Sequence, residues 1–96
     1  MTIRLTLFSR SYCHLCEDMA AAVRAFMARA GVGYQLDIVD VDADPALVAR
    51  YDELVPVLAA GADQVELCHY FLDETALAAH LSHAMAGASN GPRPAS

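Results

Sequence analysis

Ser9-Arg10-Ser11-Tyr12-Cys13-His14-Leu15-Cys16 is the stretch on which the fold turns. Ahead of it, Ile3 to Phe8 alternates loosely and is rich in β-formers, which predicts a strand. Behind it, Leu15, Met19, Val23, Phe26, Met27 and Ala30 recur at three- and four-residue spacings, one apolar helical stripe. The cysteine pair therefore stands where a strand has ended and a helix begins. The first sulfur meets orphan backbone N–H groups and the positive end of the helix dipole, and the second lies one turn inside. Such positions stabilise a thiolate. Arg10 adds positive charge three residues ahead, and His14 does so when protonated, while Glu17 and Asp18 oppose it. These placements make Cys13 the nucleophile and Cys16 the resolving thiol of a dithiol redox site. Two cysteines that merely pack a helix have no reason to stand at its start.

Outward from this motif, Gly31 and Gly33 end the helix and Tyr34 to Val41 reads as a second strand. Asp44-Pro45 opens a short helix, with Asp as N-cap and Pro at the first helical position, running to about Tyr51. Val55 to Ala60 is a third strand, Gly61-Ala62-Asp63 a turn, and Gln64 to Tyr70 a fourth strand paired to the third as a hairpin. Asp73 caps a last helix through about Ala86, with Leu77, Leu81 and Met85 inward. The order is β-α-β-α-β-β-α. The first strand–helix–strand unit implies a parallel pair with a right-handed crossover. The prediction is an α/β fold: one mixed four-stranded sheet with helices on both faces, in a domain spanning residues 1–86. The segment 87–96, rich in Gly, Pro and Ser, is expected to be a disordered tail.

Leu54-Val55-Pro56-Val57-Leu58 puts a proline at the head of an apolar strand, where its missing N–H falls at the edge of the ladder. Arg10, Tyr12-Cys13-His14-Leu15-Cys16, Val39-Asp40-Val41-Asp42, Val55-Pro56 and the hairpin and helix that follow resemble the thioredoxin superfamily and, within it, small bacterial glutaredoxin-like proteins. The resemblance covers about residues 3 to 86. It implies a thioredoxin-like fold, a cis bond at Pro56 beside the sulfurs, and Val55 backbone groups offered to a bound peptide or glutathione. It further implies a thiol–disulfide oxidoreductase with Cys13 and Cys16 catalytic and with Arg10, Tyr12, His14, Val55 and Pro56 contacting substrate. No bound cofactor is expected. Glutathione is a candidate electron donor, and the partner is a disulfide-containing protein or glutathione disulfide. Two positions depart from the usual glutaredoxin pattern. Cys13-His14-Leu15-Cys16 replaces Cys-Pro-Tyr-Cys, and Leu67-Cys68-His69-Tyr70-Phe71-Leu72-Asp73 lacks the glycine pair after the hairpin.

Composition narrows the alternatives. The chain has 96 residues, a formal charge of −6 and 56% hydrophobic residues, which suits one small domain and excludes a disordered chain. All six basic residues are Arg, against twelve acidic ones, which argues against a nucleic-acid surface and excludes a Schiff-base lysine. No apolar run reaches membrane-spanning length, and no secretory leader is recognisable at Met1-Thr2-Ile3-Arg4. Three cysteines do not make a disulfide scaffold, so a reducing cytoplasm is expected. The chain is expected to be a monomer. Cys68 and His69 are adjacent, and adjacent strand residues point to opposite faces. Cys68 is therefore read as a plain strand residue and no metal site is assigned. Asp40, Asp42 and Asp44 begin like a calcium loop, but Pro45 and Tyr51 stand where it needs Gly and Glu. His80 and His83 read as solvated helix-face residues. The remaining alternative is a non-enzymatic module of the same fold that uses the cysteine pair for redox sensing or metal binding.

Overall fold

In the computed structural model, which describes residues 2–51 and 53–88, the chain runs through β1 (Ile3–Ser9), α1 (His14–Ala30), β2 (Tyr34–Asp40), a 3-10 turn (Val41–Ala43), α2 (Pro45–Tyr51), β3 (Val57–Ala60), β4 (Val65–His69) and α3 (Glu74–Ala88). The strands lie in the order β2-β1-β3-β4. β1 pairs parallel to β2 and antiparallel to β3, and β3 pairs antiparallel to β4. The mixed four-stranded sheet and the element order match the expectation.

The period-2 geometry of β1 divides the core between two faces. Ile3, Leu5 and Leu7 join Leu58 and Ala60 of β3 under Met19, Val23 and Met27 of α1 and Leu77 and Leu81 of α3. On the other face Phe8, Val57 and Ala59 pack against Tyr51 of α2 and against Val41. Two helices therefore cover one face and the shortest covers the other. Phe8 and Tyr51 stack, with ring centroids 4.5 Å apart.

The ends of the elements have local chemical causes. Gly31, at φ 68°, ends α1 in the left-handed conformation that a Cβ disfavours, and its N–H donates to the Met27 and Ala28 carbonyls. Asp44 accepts the Ala46 N–H at 2.9 Å and Asp73 accepts the Ala76 N–H at 3.0 Å, so both act as helix caps.

Several boundaries differ from the expectation. β2 stops at Asp40 instead of Val41, because the Asp40 carboxylate accepts the Asp42 N–H at 2.9 Å and starts the 3-10 turn. β3 begins at Val57 instead of Val55, since Pro56 has no N–H to give the ladder. The Val55–Pro56 bond is cis. β4 spans only Val65–His69, because Gln64 at φ 52° and Tyr70 at φ 66° leave extended geometry at both ends. α3 continues through Gly87 to Ala88. The rest of the expected tail, and the side chain of Met85, lie outside the described residues.

A bulge interrupts the β3–β4 ladder. Ala59 pairs with Glu66 but Leu58 pairs with Cys68, so Leu67 is the extra residue. Leu67 and Cys68 consequently both pack on the core beneath α1 and α3.

Candidate redox site

The site is built where β1 hands over to α1. Tyr12 takes a left-handed turn at φ 58° and its side chain is fully exposed. That turn delivers Cys13 in extended geometry, at φ −111° and ψ 104°, to the N-cap of α1. The Cys13 sulfur accepts the Cys16 backbone N–H at 3.1 Å, as a serine or aspartate cap would. Cys13 and Cys16 are joined in a disulfide, with Cα atoms 5.2 Å apart. Cys16 is 5% exposed and belongs to the buried face of α1, while Cys13 is only partly covered.

The disulfide opens onto a cleft of about 330 Å³ between α1 and the ends of β1 and β2. Cys13, Glu17, Ala20 and Arg24 line it from α1 at helical spacing, Leu7 and Ile38 form its apolar floor, and Ser9, Arg10 and Tyr12 close the near end. Arg10 grips Asp42 in a bidentate pair, Nε to Oδ2 at 3.2 Å and Nη2 to Oδ1 at 2.5 Å. The guanidinium hydrogen bond holds the Asp42 carboxyl below the usual carboxylate range, against a smaller opposing effect of desolvation. Arg10 is thereby oriented by the segment after β2.

The residues singled out in the sequence are distributed as follows. Arg10, Tyr12, Cys13 and Cys16 meet at the cleft. His14 points to solvent, 3.6 Å from the Glu17 carboxylate. Pro56 is buried, and Val55 packs with the cluster beneath α2. Phe8 pairs with Val57, so Ser9 and Pro56 lie one step further along at the same end of the sheet. Arg24 and Ile38 were not singled out in the sequence, and Asp42 appeared there only in the family motif and the rejected calcium loop, not as the partner of Arg10. Arg24 was legible there, because positions 13, 17, 20 and 24 share one face of a helix. Asp42 and Ile38 reach the site only through pairing of β1 with β2. Cys68 stands apart: burial pushes its thiol up, with a backbone hydrogen bond from Asp73 as the main opposing effect. Among the described residues no group of three His, Cys, Asp or Glu side chains is placed to hold a metal ion. No helix there is long and apolar enough to cross a membrane.

Compared with known protein families, residues 4–82 match the glutaredoxin-like domain family (DUF836). The chain belongs to this family. A protein of Nitrosomonas europaea solved by NMR is 36% identical, covering 81% of this chain and 89% of that one, with a TM-score of 0.73. A crystal structure from X. campestris is 37% identical over 82% of this chain and 96% of that one, with a TM-score of 0.59. Thioredoxin-2 of the malaria parasite superposes at a TM-score of 0.59 with 18% identity, over 85% of this chain and 82% of its own, a likeness of fold. No curated protein matches the chain. This glutaredoxin-like protein thus combines a thioredoxin-like fold with a cysteine pair at disulfide distance, the arrangement of redox thiol chemistry.

Proposed function

We propose that this glutaredoxin-like chain is a cytoplasmic, monomeric thiol–disulfide oxidoreductase that works by dithiol exchange. The observation that carries the reading is the Cys13–Cys16 disulfide at the N-terminus of α1, with Cys13 at the cap and Cys16 buried one turn inside. In the reduced form the Cys13 thiolate attacks one sulfur of a substrate disulfide. A Cys13–substrate bond forms, the substrate S–S bond breaks and one substrate thiolate leaves. Cys16 gives up its proton to the departing thiolate or to water and attacks the Cys13 sulfur, releasing the second substrate thiol. Two electrons have moved to the substrate, and the chain is left with the Cys13–Cys16 bond. An external thiol reverses this. Glutathione is the proposed donor, and Arg10 and Arg24 suit its carboxylates in the cleft. Tyr12 edges the same cleft, and His14, next to Cys13 in the chain, meets substrate from the solvent side. Val55, just ahead of Pro56, has no backbone hydrogen-bond partner among the described residues and can pair with an extended segment of substrate.

The test is a trapping pair. Cys16→Ser should accumulate a mixed disulfide with a disulfide probe, visible by mass spectrometry, and Cys13→Ser should not. Trapping on Cys16 in the Cys13→Ser variant would reverse the roles. A wild-type chain that neither reduces nor is reduced by any thiol–disulfide couple would point to the non-enzymatic module.

A further inference from the structure

On the opposite side of α1 from the Arg10 cleft lies a second groove, of about 220 Å³, with room for one large side chain. Asp18, Met19 and Ala22 of α1 form one wall, and Tyr70, Phe71 and Glu74 the other. The second wall is held in a rare conformation. The Phe71 N–H donates to the His69 carbonyl at 2.8 Å around Tyr70 at φ 66°, a γ-turn of the strained, positive-φ kind. Neighbouring structure imposes this geometry. The Tyr70 N–H donates to the Pro56 carbonyl at 2.8 Å and its hydroxyl to the Glu53 carbonyl at 2.6 Å. Strain of this sort persists only where surroundings over-determine it. Phe71, the next residue, stands out at the rim of the groove, 69% exposed.

The groove lies further along α1 than the disulfide. Leu15, Met19 and Ala22 share one stripe of α1 by their i, i+4, i+7 spacing, and Leu15 lies between the two cysteines and is itself exposed. At about 1.5 Å per residue, the groove stands roughly 8–13 Å along the helix from Cys13, the reach of about three extended residues. Its rim is acidic. Glu74 is partnered by Arg29 at 3.3 Å, whereas Asp18 has no partner among the described residues. The whole chain carries −6.

We propose that this groove docks an apolar side chain of a disulfide-bearing polypeptide whose neighbouring residues are basic, about three residues from the cysteine that Cys13 attacks. The inference rests on the oxidoreductase reading and names its substrate class. Phe71 and the half-buried Leu72 supply the apolar contact over the buried Met19, Asp18 and the net negative field attract the cationic flanks, and the same charges disfavour an acidic peptide.

The test uses the full reduced chain and three probes: bis(2-hydroxyethyl) disulfide, and the disulfide-linked dimers of two peptides. Each peptide has one cysteine and, three residues away, a phenylalanine flanked by two arginines or by two glutamates. The arginine peptide should be reduced with a kcat/KM about tenfold or more above the glutamate peptide, and the gap should narrow at high salt. Phe71→Ser should lower kcat/KM for the arginine peptide about tenfold and leave bis(2-hydroxyethyl) disulfide unchanged, and Asp18→Asn should shrink the preference between peptides. Equal rates on both peptides, or an equal loss on all three probes in Phe71→Ser, would overturn the docking site while leaving the redox chemistry in place. Failure to reduce any probe would refute the oxidoreductase reading, and the docking site with it.

Discussion

Phe8→Ala should be the most damaging single change on the face of the sheet covered by α2. Phe8 is 2% exposed and belongs to a cluster that, among the described residues, has four other buried members, Val41, Tyr51, Val57 and Ala59. Deleting a buried phenylalanine costs about 3–5 kcal/mol, because a small cluster collapses poorly into the cavity. A chain of this length has roughly 5–14 kcal/mol in total. At about 4–8 °C per kcal/mol for a domain of this size, the melting temperature should fall by at least 12 °C or so. Phe8→Leu isolates the ring stack: most of the volume stays and the contact with Tyr51 goes, so the loss should be about 1 kcal/mol. A double-mutant cycle with Tyr51→Leu should return a coupling of about 0.5–1.5 kcal/mol. Thermal unfolding followed by circular dichroism gives all of these values. Below its own transition Phe8→Ala should keep the alkylation rate of reduced Cys13, because α1 packs on the opposite face. A shift of only a few degrees in Phe8→Ala would mean that the α2 face contributes little to the fold, and a coupling near zero would remove the stack from the account.

After reduction, iodoacetamide at neutral pH should label Cys13 first. Cys16 is covered, and burial raises the Cys68 thiol toward its unreactive protonated form. Peptide mapping that finds Cys68 or Cys16 modified first would overturn this ranking. The Arg10–Asp42 pair predicts a pH signature. Because Arg10 lowers the folded pKa of Asp42, its stabilisation is present above the unfolded carboxylate value and is lost as pH falls through the lower folded value. Melting temperatures between pH 7 and pH 3 should therefore fall more steeply in the wild type than in Arg10→Gln, and parallel curves would exclude the linkage.

Much of this protein was decided locally and could be read from the chain. Cys13 and Cys16 at the head of an apolar helical stripe, Asp44-Pro45 ahead of a short helix and Asp73 ahead of the last one are signals contained within a few residues. The forces behind them, capping hydrogen bonds and a 3.6-residue period, act over the same range. The element order and the mixed sheet followed from them. Tertiary structure alone decided what depends on pairing between distant segments. Asp42 holds Arg10 from 32 residues away, and Ile38 floors the cleft because β2 aligns it with Leu7. Leu67 is extruded where the β3–β4 register slips, which turns Cys68 inward with it. Tyr70 adopts its left-handed γ-turn because Pro56 and Glu53 offer their carbonyls. A β-prone tyrosine after a strand carries no local sign of that turn, since the hydrogen bonds that hold it come from the segment ahead of β3, across the open end of the hairpin.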